Sequence, residues 1–347
     1  MAIATACVGF APGTKARAAA PLNSKPEQIL LEPPGSPGAP VPVKVGLYIT
    51  NLGDIDQVRE RVELEGYLIV SWTDPRLAAT PAAGNLANYW QHFREGQIWM
   101  PSLEFANSVA RRDRLSYSIM ANSLGAVRYV ERFDAQLSSD FRLRQFPFDN
   151  QNLQAVVQPF PTDETQLDLS VDSGASGVGK DAWVELPEWH IRGLTATAQR
   201  LHIPNVVGDS LQLRFDLKVQ RRQAFYLWKV FLPILIMVVV SWSVFWVEVS
   251  QFDWQAKIAV TTMLTLVAFS FAIEGNLPRI GYLTFFDGVF LTSFVFIFLA
   301  MIQITAIHVL HLRKKEHIAV AIHSASRWVF PAAYFAVIAI MFPIFLG

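Results

Sequence analysis

QFDWQAKIAVTTMLTLVAFSFAIEGNLP, from Gln251 to Pro278, is the stretch whose reading decides the fold. A helix needs about 20 mostly apolar residues to cross a bilayer, and this stretch is long enough. It is not uniformly apolar. Lys257, Thr261, Leu264, Ala268 and Phe271 recur at steps of four, three, four and three, which places them on one face of a helix. That face passes from charged, through hydroxyl, to apolar. Polar groups are costly in hydrocarbon, so a lipid-facing surface disfavours the lysine and the threonine. A surface lining water inside an oligomer accommodates both. The plainer alternative is a helix packed within a bundle, with Thr261, Thr262 and Thr265 bonded back to their own backbone.

Three other apolar runs accompany it. FYLWKVFLPILIMVVVSWSVFWV begins at Phe225, and its Pro233 is tolerated where neighbouring groups satisfy the freed backbone. YLTFFDGVFLTSFVFIFLAMIQITAIHVL begins at Tyr282, and AVAIHSASRWVFPAAYFAVIAIMFPIFLG runs from Ala319 to Gly347. The predicted spans are 225–247, 254–274, 282–311 and 319–346. Four spans place both ends of the domain on one side of the membrane. Arg313, Lys314 and Lys315 mark the connection between the third and fourth spans as cytoplasmic. Arg221, Arg222 and Lys229 run against a simple charge count, so this orientation also rests on export of everything before Phe225.

That earlier region has a different texture. Residues 1–42 read as a signal-like or disordered segment: an Ala-rich start, then the Pro- and Gly-rich LEPPGSPGAPVP. From residue 43 to 222 the chain alternates polar and apolar residues in short runs. VKVGLYIT, VELEGYLIVSW, VRYVERFDAQL, LQAVVQPF, TQLDLSV, WVELPEWHI and LQLRFDLKV read as strands of an all-β sandwich. Turn signals at Asn51–Gly53 and Asp74-Pro75 separate them. Ala82–Trp90 is less regular and reads as a loop or short helix. Residues 223–347 form the membrane domain.

Composition narrows the function. Twenty-nine basic residues balance 29 acidic ones, so no general case for nucleic-acid binding exists. Cys7 is the one cysteine, which excludes an intrachain disulfide and a multi-cysteine metal site. The chain holds no G-x-S-x-G, H-E-x-x-H or P-loop pattern, and its acids form no catalytic pair. The reading is therefore not an enzyme, with no catalytic residues, no metal and no cofactor.

Six motifs, in order, resemble those of the prokaryotic pentameric ligand-gated ion channels, the bacterial relatives of the Cys-loop receptors. They are SWTDPRL (71–77), IWMPSLEFAN (98–107), FRLRQFPFDNQ (141–151), EWHIRG (188–193), FYLWKVFLPI with SWSVFW in the first span, and NLPRIGY (276–282). The resemblance covers Val43 to Gly347. It implies an extracellular all-β immunoglobulin-like sandwich of ten strands followed by a four-helix transmembrane bundle. Five copies would surround a pore lined by the second helix. Two cysteines that close the signature loop in eukaryotic relatives fall here on Ser139 and Leu153, so packing and hydrogen bonds must hold the loop.

The resemblance also assigns sites. Leu264 falls at the mid-pore hydrophobic ring, Ala268 and Phe271 lie above it, Thr261 and Lys257 below, and Asp253 at the inner mouth. A ring of leucines strips water from an ion and gates by dewetting. An agonist pocket between subunits would draw on Trp99, Gln158, Phe160 and His202, although Trp99 by itself reads better as core. The segment around His202, Leu201–Leu211, has no aromatic residue, which departs from amine-binding members. His190 and His202 leave gating by pH open. Coupling between the domains would run through Asp54, Asp56, Phe146, Pro147, Asp149, Arg221 and Pro278.

The function expected is a pentameric ligand-gated channel opened by an extracellular small molecule or by protons. Its partners would be its own copies in a homopentamer, membrane lipid and permeant inorganic ions, and its place a bacterial inner membrane with both termini periplasmic. The bacterial relatives imply cation selectivity through an acidic ring at the inner mouth. Lys257 argues for anions, but Asp253 four residues earlier is in the favourable order to pair with it and draw it to the helix wall. An anion channel of the same family and a non-conducting membrane-anchored sensor are the alternatives.

Overall fold

The computed structural model describes residues 30–35, 39–78, 90–160, 167–179, 188–203, 208–274 and 281–346, and only the backbone of residues 201–203, 208–210 and 274. The alternating runs form eleven strands in two sheets. They are β1 (Val41–Asp56), β2 (Arg61–Thr73), β3 (Trp90–Phe93), β4 (Leu103–Phe105), β5 (Asp113–Asn122), β6 (Ala126–Ser138), β7 (Asn150–Pro159), β8 (Leu167–Val171), β9 (Gly177–Val178), β10 (Trp189–Ile203) and β11 (Gly208–Arg221). One sheet runs β3-β5-β6-β2-β1-β8, with β9 also on β1, and the other runs β10-β11-β7-β4. The pairings are antiparallel except where β8 and β9 lie parallel to β1.

Period-two patterning sets the core. Val43, Val45 and Leu47 of β1, Phe133, Ala135 and Leu137 of β6, Leu153, Ala155 and Val157 of β7, and Leu213, Phe215 and Leu217 of β11 are all buried between the sheets. Residues two apart share a face, so a slip of one position would expose every one of them. Where regular pairing stops, polar bonds take over. Asp74 is fully buried, caps the turn Pro75–Leu77, and takes Arg76 through both carboxylate oxygens at 2.8 Å. Its own N–H donates to Gly125 O. Gly125 sits at φ +80, and a Cβ there would lie 2.5 Å from Asp74 O, so only glycine fits.

Several boundaries differ from the sequence reading. The described part of the Pro-rich segment is not a free linker. Leu30 O accepts from Trp99 N–H at 2.6 Å, Glu32 O accepts from Arg76 Nη2 at 2.9 Å, and β1 begins at Val41. Trp90 opens a strand rather than closing a loop, and DRLSYSIMAN, not read as a strand, is β5. The count is eleven strands among the described residues rather than ten. The signal-like stretch 1–29, most of 82–90, the WVELP part of WVELPEWHI and the stretch 275–280 lie outside the described residues.

Four helices follow, each long and apolar enough to cross a membrane. They are α1 (Ala224–Trp246), α2 (Phe252–Glu274), α3 (Phe285–Leu312) and α4 (Glu316–Leu346). Pro233 cannot donate into the helical ladder, and α1 answers with a π-helical turn over Leu227–Phe231, in which Leu232 N–H reaches Leu227 O. The helix α3 starts at Phe285 rather than 282 because Thr284 and Asp287 form a reciprocal capping box. The helix α4 packs on α3 and on the end of α1, on the side away from α2.

Candidate functional site

The helix α2 has two faces of opposite fate. Gln255, Ala259, Thr262 and Leu266 are buried against the rest of the bundle. Asp253, Lys257, Thr261, Leu264, Ala268 and Phe271 are all exposed on the other side of the helix. Leu264 is 63% and Phe271 70% exposed, a large fraction for apolar side chains on a single stripe. Thr262 and Thr265 do bond back to the backbone, to Ile258 O at 2.7 Å and Thr261 O at 2.8 Å. Those bonds satisfy the hydroxyls but do not cover the stripe. No ion pair joins Asp253 to Lys257 among the described residues. The Lys257 ammonium instead lies 5.3 Å from the centroid of the Trp254 ring, three residues earlier on the helix.

Gln255 anchors the base of this helix by donating to Val247 O at 3.1 Å and Glu248 O at 3.3 Å. His323 of α4 bonds to Val247 O at 3.0 Å, and Arg327 Nε donates to Phe245 O at 2.7 Å. The turn from α1 to α2 is thus pinned from two sides.

At the other end, the sandwich meets the bundle around Arg221. Its Nε is 2.8 Å from Asp149 Oδ1 and its Nη2 is 3.1 Å from Asp149 Oδ2, and both side chains are almost fully buried. Such a bidentate pair is strong only if its remaining donors are satisfied. Here Nη2 also donates to Gln57 Oε1 at 2.8 Å, and Nη1 to Tyr226 OH at 3.4 Å. The guanidinium lies over Trp189 at 4.1 Å and Phe146 at 4.8 Å.

The signature loop carries this network onto the helices. Phe146 packs edge-on to Tyr226 at 4.8 Å and to Phe286 at 6.2 Å, and Phe148 to Phe285 at 5.7 Å. Tyr282 OH accepts from Leu143 N–H at 3.1 Å, and Arg144 O accepts from Phe285 N–H at 3.0 Å. Pro147 is buried beside Phe146, with a cis bond between them. In place of a disulfide, the Ser139 hydroxyl donates to Asn152 O and accepts from Gln154 N–H, both at 3.3 Å, on either side of buried Leu153.

The structure does not bring every expected residue to this junction. Asp56 caps its own turn, accepting from Arg59 N–H at 2.9 Å, and Asp54 is exposed. The β1–β2 turn reaches Arg221 through Gln57, which has the length that a partly exposed aspartate lacks. Pro278 lies outside the described residues. Gln57, Trp189, Tyr226 and Tyr282 were not foreseen; only Trp189, an aromatic at a strand start beside a charged segment, carried any local signal.

The expected agonist residues do not gather within one subunit. Trp99 is buried and packs edge-on to Trp72 at 5.9 Å, inside the sandwich. Gln158 is on β7, where it donates to Glu104 Oε1 at 2.8 Å and accepts from Gln212 Nε2 at 2.6 Å. Phe160 is 46% exposed at the strand end, and His202 is on β10 with only its backbone described. A cavity of about 240 Å³ opens instead beside Glu131, a fully buried acid on an inward position of β6. Arg112 Nε lies 2.8 Å from it, and Tyr129 OH donates to it at 2.6 Å. Burial and then that bond hold the Tyr129 phenol well above its ordinary value. An acid at a core-facing position of an alternating strand was the legible sign of this cluster.

Comparison with known proteins agrees with this geometry. The family model for the neurotransmitter-gated ion-channel ligand binding domain matches residues 27–223, and that for the neurotransmitter-gated ion-channel transmembrane region matches residues 230–332. The chain belongs to the neurotransmitter-gated ion-channel family, whose members are ligand-gated channels and not enzymes. It is a multi-pass membrane protein with an extracellular ligand-binding domain. It is similar to the proton-gated ion channel of Gloeobacter violaceus, 28% identical over 323 residues, covering 92% of this chain and 88% of that one. It is also similar to the gamma-aminobutyric acid receptor subunit rho-3 of Homo sapiens, 24% identical over 283 residues and 80% of this chain. The beta-like subunit of Drosophila melanogaster is 26% identical over 293 residues. The chain spans 60% and 58% of the length of these two receptor subunits.

Removing either member of a buried ion pair strands the other and costs about 3–5 kcal/mol. Arg221→Ala and Asp149→Ala should each lower the unfolding midpoint of the purified protein substantially. The double variant should fall little below either single one, because the second removal relieves the stranded charge. Thermal unfolding of the four proteins measures this, and additive losses would show that the two side chains act independently.

Proposed function

We propose that this chain assembles as a homopentameric channel, cation-selective, opened by an extracellular small molecule or by protons. One observation carries the reading: the exposed stripe on α2, with an acid and a lysine at one end and uncovered Leu264 and Phe271 further along. A single subunit leaves this stripe in contact with nothing that suits all of it. A ring of copies turns it inward, where charged residues meet water and the apolar ones narrow the lumen. Native mass measurement in detergent, followed by current recording from reconstituted protein at several pH values and with small amines and carboxylates, tests the proposal. A monomer or dimer as the only species, or silence under every condition, would sink it.

Leu264 is the gate in this reading, since its ring is apolar and lies between Thr261 and Ala268. Leu264→Ser should ease wetting, raise resting leak and increase sensitivity to the trigger by about tenfold or more, the effect of roughly 1.4 kcal/mol on the opening equilibrium. Recordings indistinguishable from the parent would remove Leu264 from that role.

The Arg221–Asp149 pair and Phe146 with Pro147 are the coupling elements, because they contact the sandwich and the first and third helices at once. Asp54 and Asp56 would take part only through the β1–β2 turn, and Pro278 from the stretch between α2 and α3. Arg221 and Asp149 variants that assemble and still gate like the parent would refute this role.

For selectivity, Asp253 stands exposed at the inner end of the stripe in the first turn of α2, where the helix dipole favours an acid. The Trp254 ring holds Lys257 close to its own helix, which weakens the lysine field in the lumen. The runner-up is an anion channel, and the similarity to gamma-aminobutyric acid receptor subunits keeps it in contention. In an asymmetric KCl gradient the reversal potential should lie near that of potassium, and Lys257→Gln should raise cation conductance. A reversal near the chloride potential reverses the assignment.

A further inference from the structure

The solvent face of the larger sheet carries a feature that neither the α2 stripe nor the Arg221 junction uses. Ser170 of β8, Lys44 of β1, Ser71 of β2 and Arg128 of β6 are successive partners across four neighbouring strands. Partners in a ladder share a face, so the four project from the same side of the sheet. It is the side away from the core, because their neighbours in sequence Val43, Trp72, Val127 and Leu169 are buried. Two residues along the strands, Pro42, Thr73 and Ala126 continue the surface with short side chains. A cavity of about 520 Å³ opens over these two rows. Trp90 of β3 bounds it towards one edge of the sheet, and Asp172, just after β8, towards the other.

The charges in it are not balanced. Lys44 and Arg128 make no hydrogen bond or ion pair among the described residues. Asp172 lines the same cavity, but its Oδ1 accepts from Gly174 and Ala175 N–H at 3.1 and 3.2 Å, within its own turn. Strands lie about 4.8 Å apart, so Lys44 and Arg128 rise from Cα atoms about 10 Å apart with Ser71 between them. That spacing is about one Debye length at 0.1 M salt, so the two positive fields overlap above the serine. The Trp90 side of the cavity is apolar, and the residue is 40% exposed. A solvated sheet face ordinarily mixes charges of both signs on a convex surface. Two unpaired cations, a hydroxyl between them and an uncovered indole around one concavity have the composition of a ligand site, which combines a few polar anchors with an apolar wall.

We propose that this concavity binds a small organic acid with an aromatic body. The carboxylate sits over Ser71, between Lys44 and Arg128, and the ring extends over Pro42, Thr73 and Ala126 towards Trp90. Each part of the ligand answers a part of the site. The Arg128 fork matches the two oxygens of a carboxylate, the Lys44 ammonium adds a point charge, and the Ser71 hydroxyl supplies a third donor. The indole takes the ring by offset or edge-on packing. An amine of the same shape meets two like charges and no free acid. The site lies on the other sheet from Gln158 and His202, so it is separate from the expected agonist residues. All of its residues belong to one chain, so it does not rest on the channel reading.

The test is calorimetric titration of the full chain, purified in detergent at neutral pH, with 3-phenylpropionate and with 3-phenylpropylamine. The parent should bind the acid saturably and the amine not at all. Lys44→Gln and Arg128→Gln should each weaken the acid about tenfold, the order expected on losing a charge-assisted hydrogen bond, and the double variant should show no saturable binding. Trp90→Ala should weaken it about fivefold through the lost ring contact. The three side chains are exposed, so every variant should keep the thermal midpoint of the parent, which circular dichroism checks. No saturable binding of the acid by the parent overturns the proposal without any variant. So does equal affinity for the amine, and so does a double variant that binds the acid like the parent.

Discussion

The pair of Arg221 with Asp149 is the constraint on which the two halves of this protein depend. A β-sandwich and a membrane bundle have no reason to adopt one relative position, since one is solvated and the other lies in lipid. Arg221 is the last residue of the last strand, and α1 starts three residues later. Burying its charge is affordable only beside Asp149, whose place is set by the signature loop, and beneath the rings of Trp189 and Phe146. Satisfying one guanidinium therefore fixes the loop, the β1–β2 turn and the entry to the first helix together. The same loop lays Phe146 and Phe148 against the start of α3. Any movement of the sandwich against the bundle must strain or exchange these contacts.

The second dependence lies in α2. The buried face of α2 is matched by its neighbours in the bundle, and the exposed face has no match in one chain. An apolar and charged stripe of this kind needs something beyond the single chain to cover it. The anchoring at its base has a complementary logic. Arg327 satisfies the Phe245 carbonyl in the last turn of α1, which helix geometry leaves without a partner, and Gln255 and His323 satisfy the Val247 and Glu248 carbonyls just beyond it. Ends of helices buried in a membrane cannot rely on water for that, so side chains from α2 and α4 supply the bonds.

Much of this was legible from residues alone. The four apolar runs and the stripe at steps of three and four stood out because helical period and bilayer thickness are properties of local sequence. The strands with clean alternation were equally legible. Those that were missed, β5 above all, carry exposed residues on both faces over half their length, so no period-two signal survives. The pairing of Asp253 with Lys257 was a sound inference from helix spacing, but the ring of Trp254 offered the ammonium a nearer surface. Asp54 and Asp56 were placed at the junction by the family resemblance, and the turn delivered Gln57 to Arg221 instead.

The sequence by itself determined the class of architecture, the four spans, the mixed stripe on the second of them and the family resemblance, all of which depend on residue order within short windows. Only the tertiary structure decided which groups share a charge. Arg221 and Asp149 lie 72 residues apart, Arg327 and Phe245 lie 82 apart, and no local pattern relates them. Their partnership exists because burial removes water as the alternative partner. Which side chains lose water is a property of the whole packed molecule.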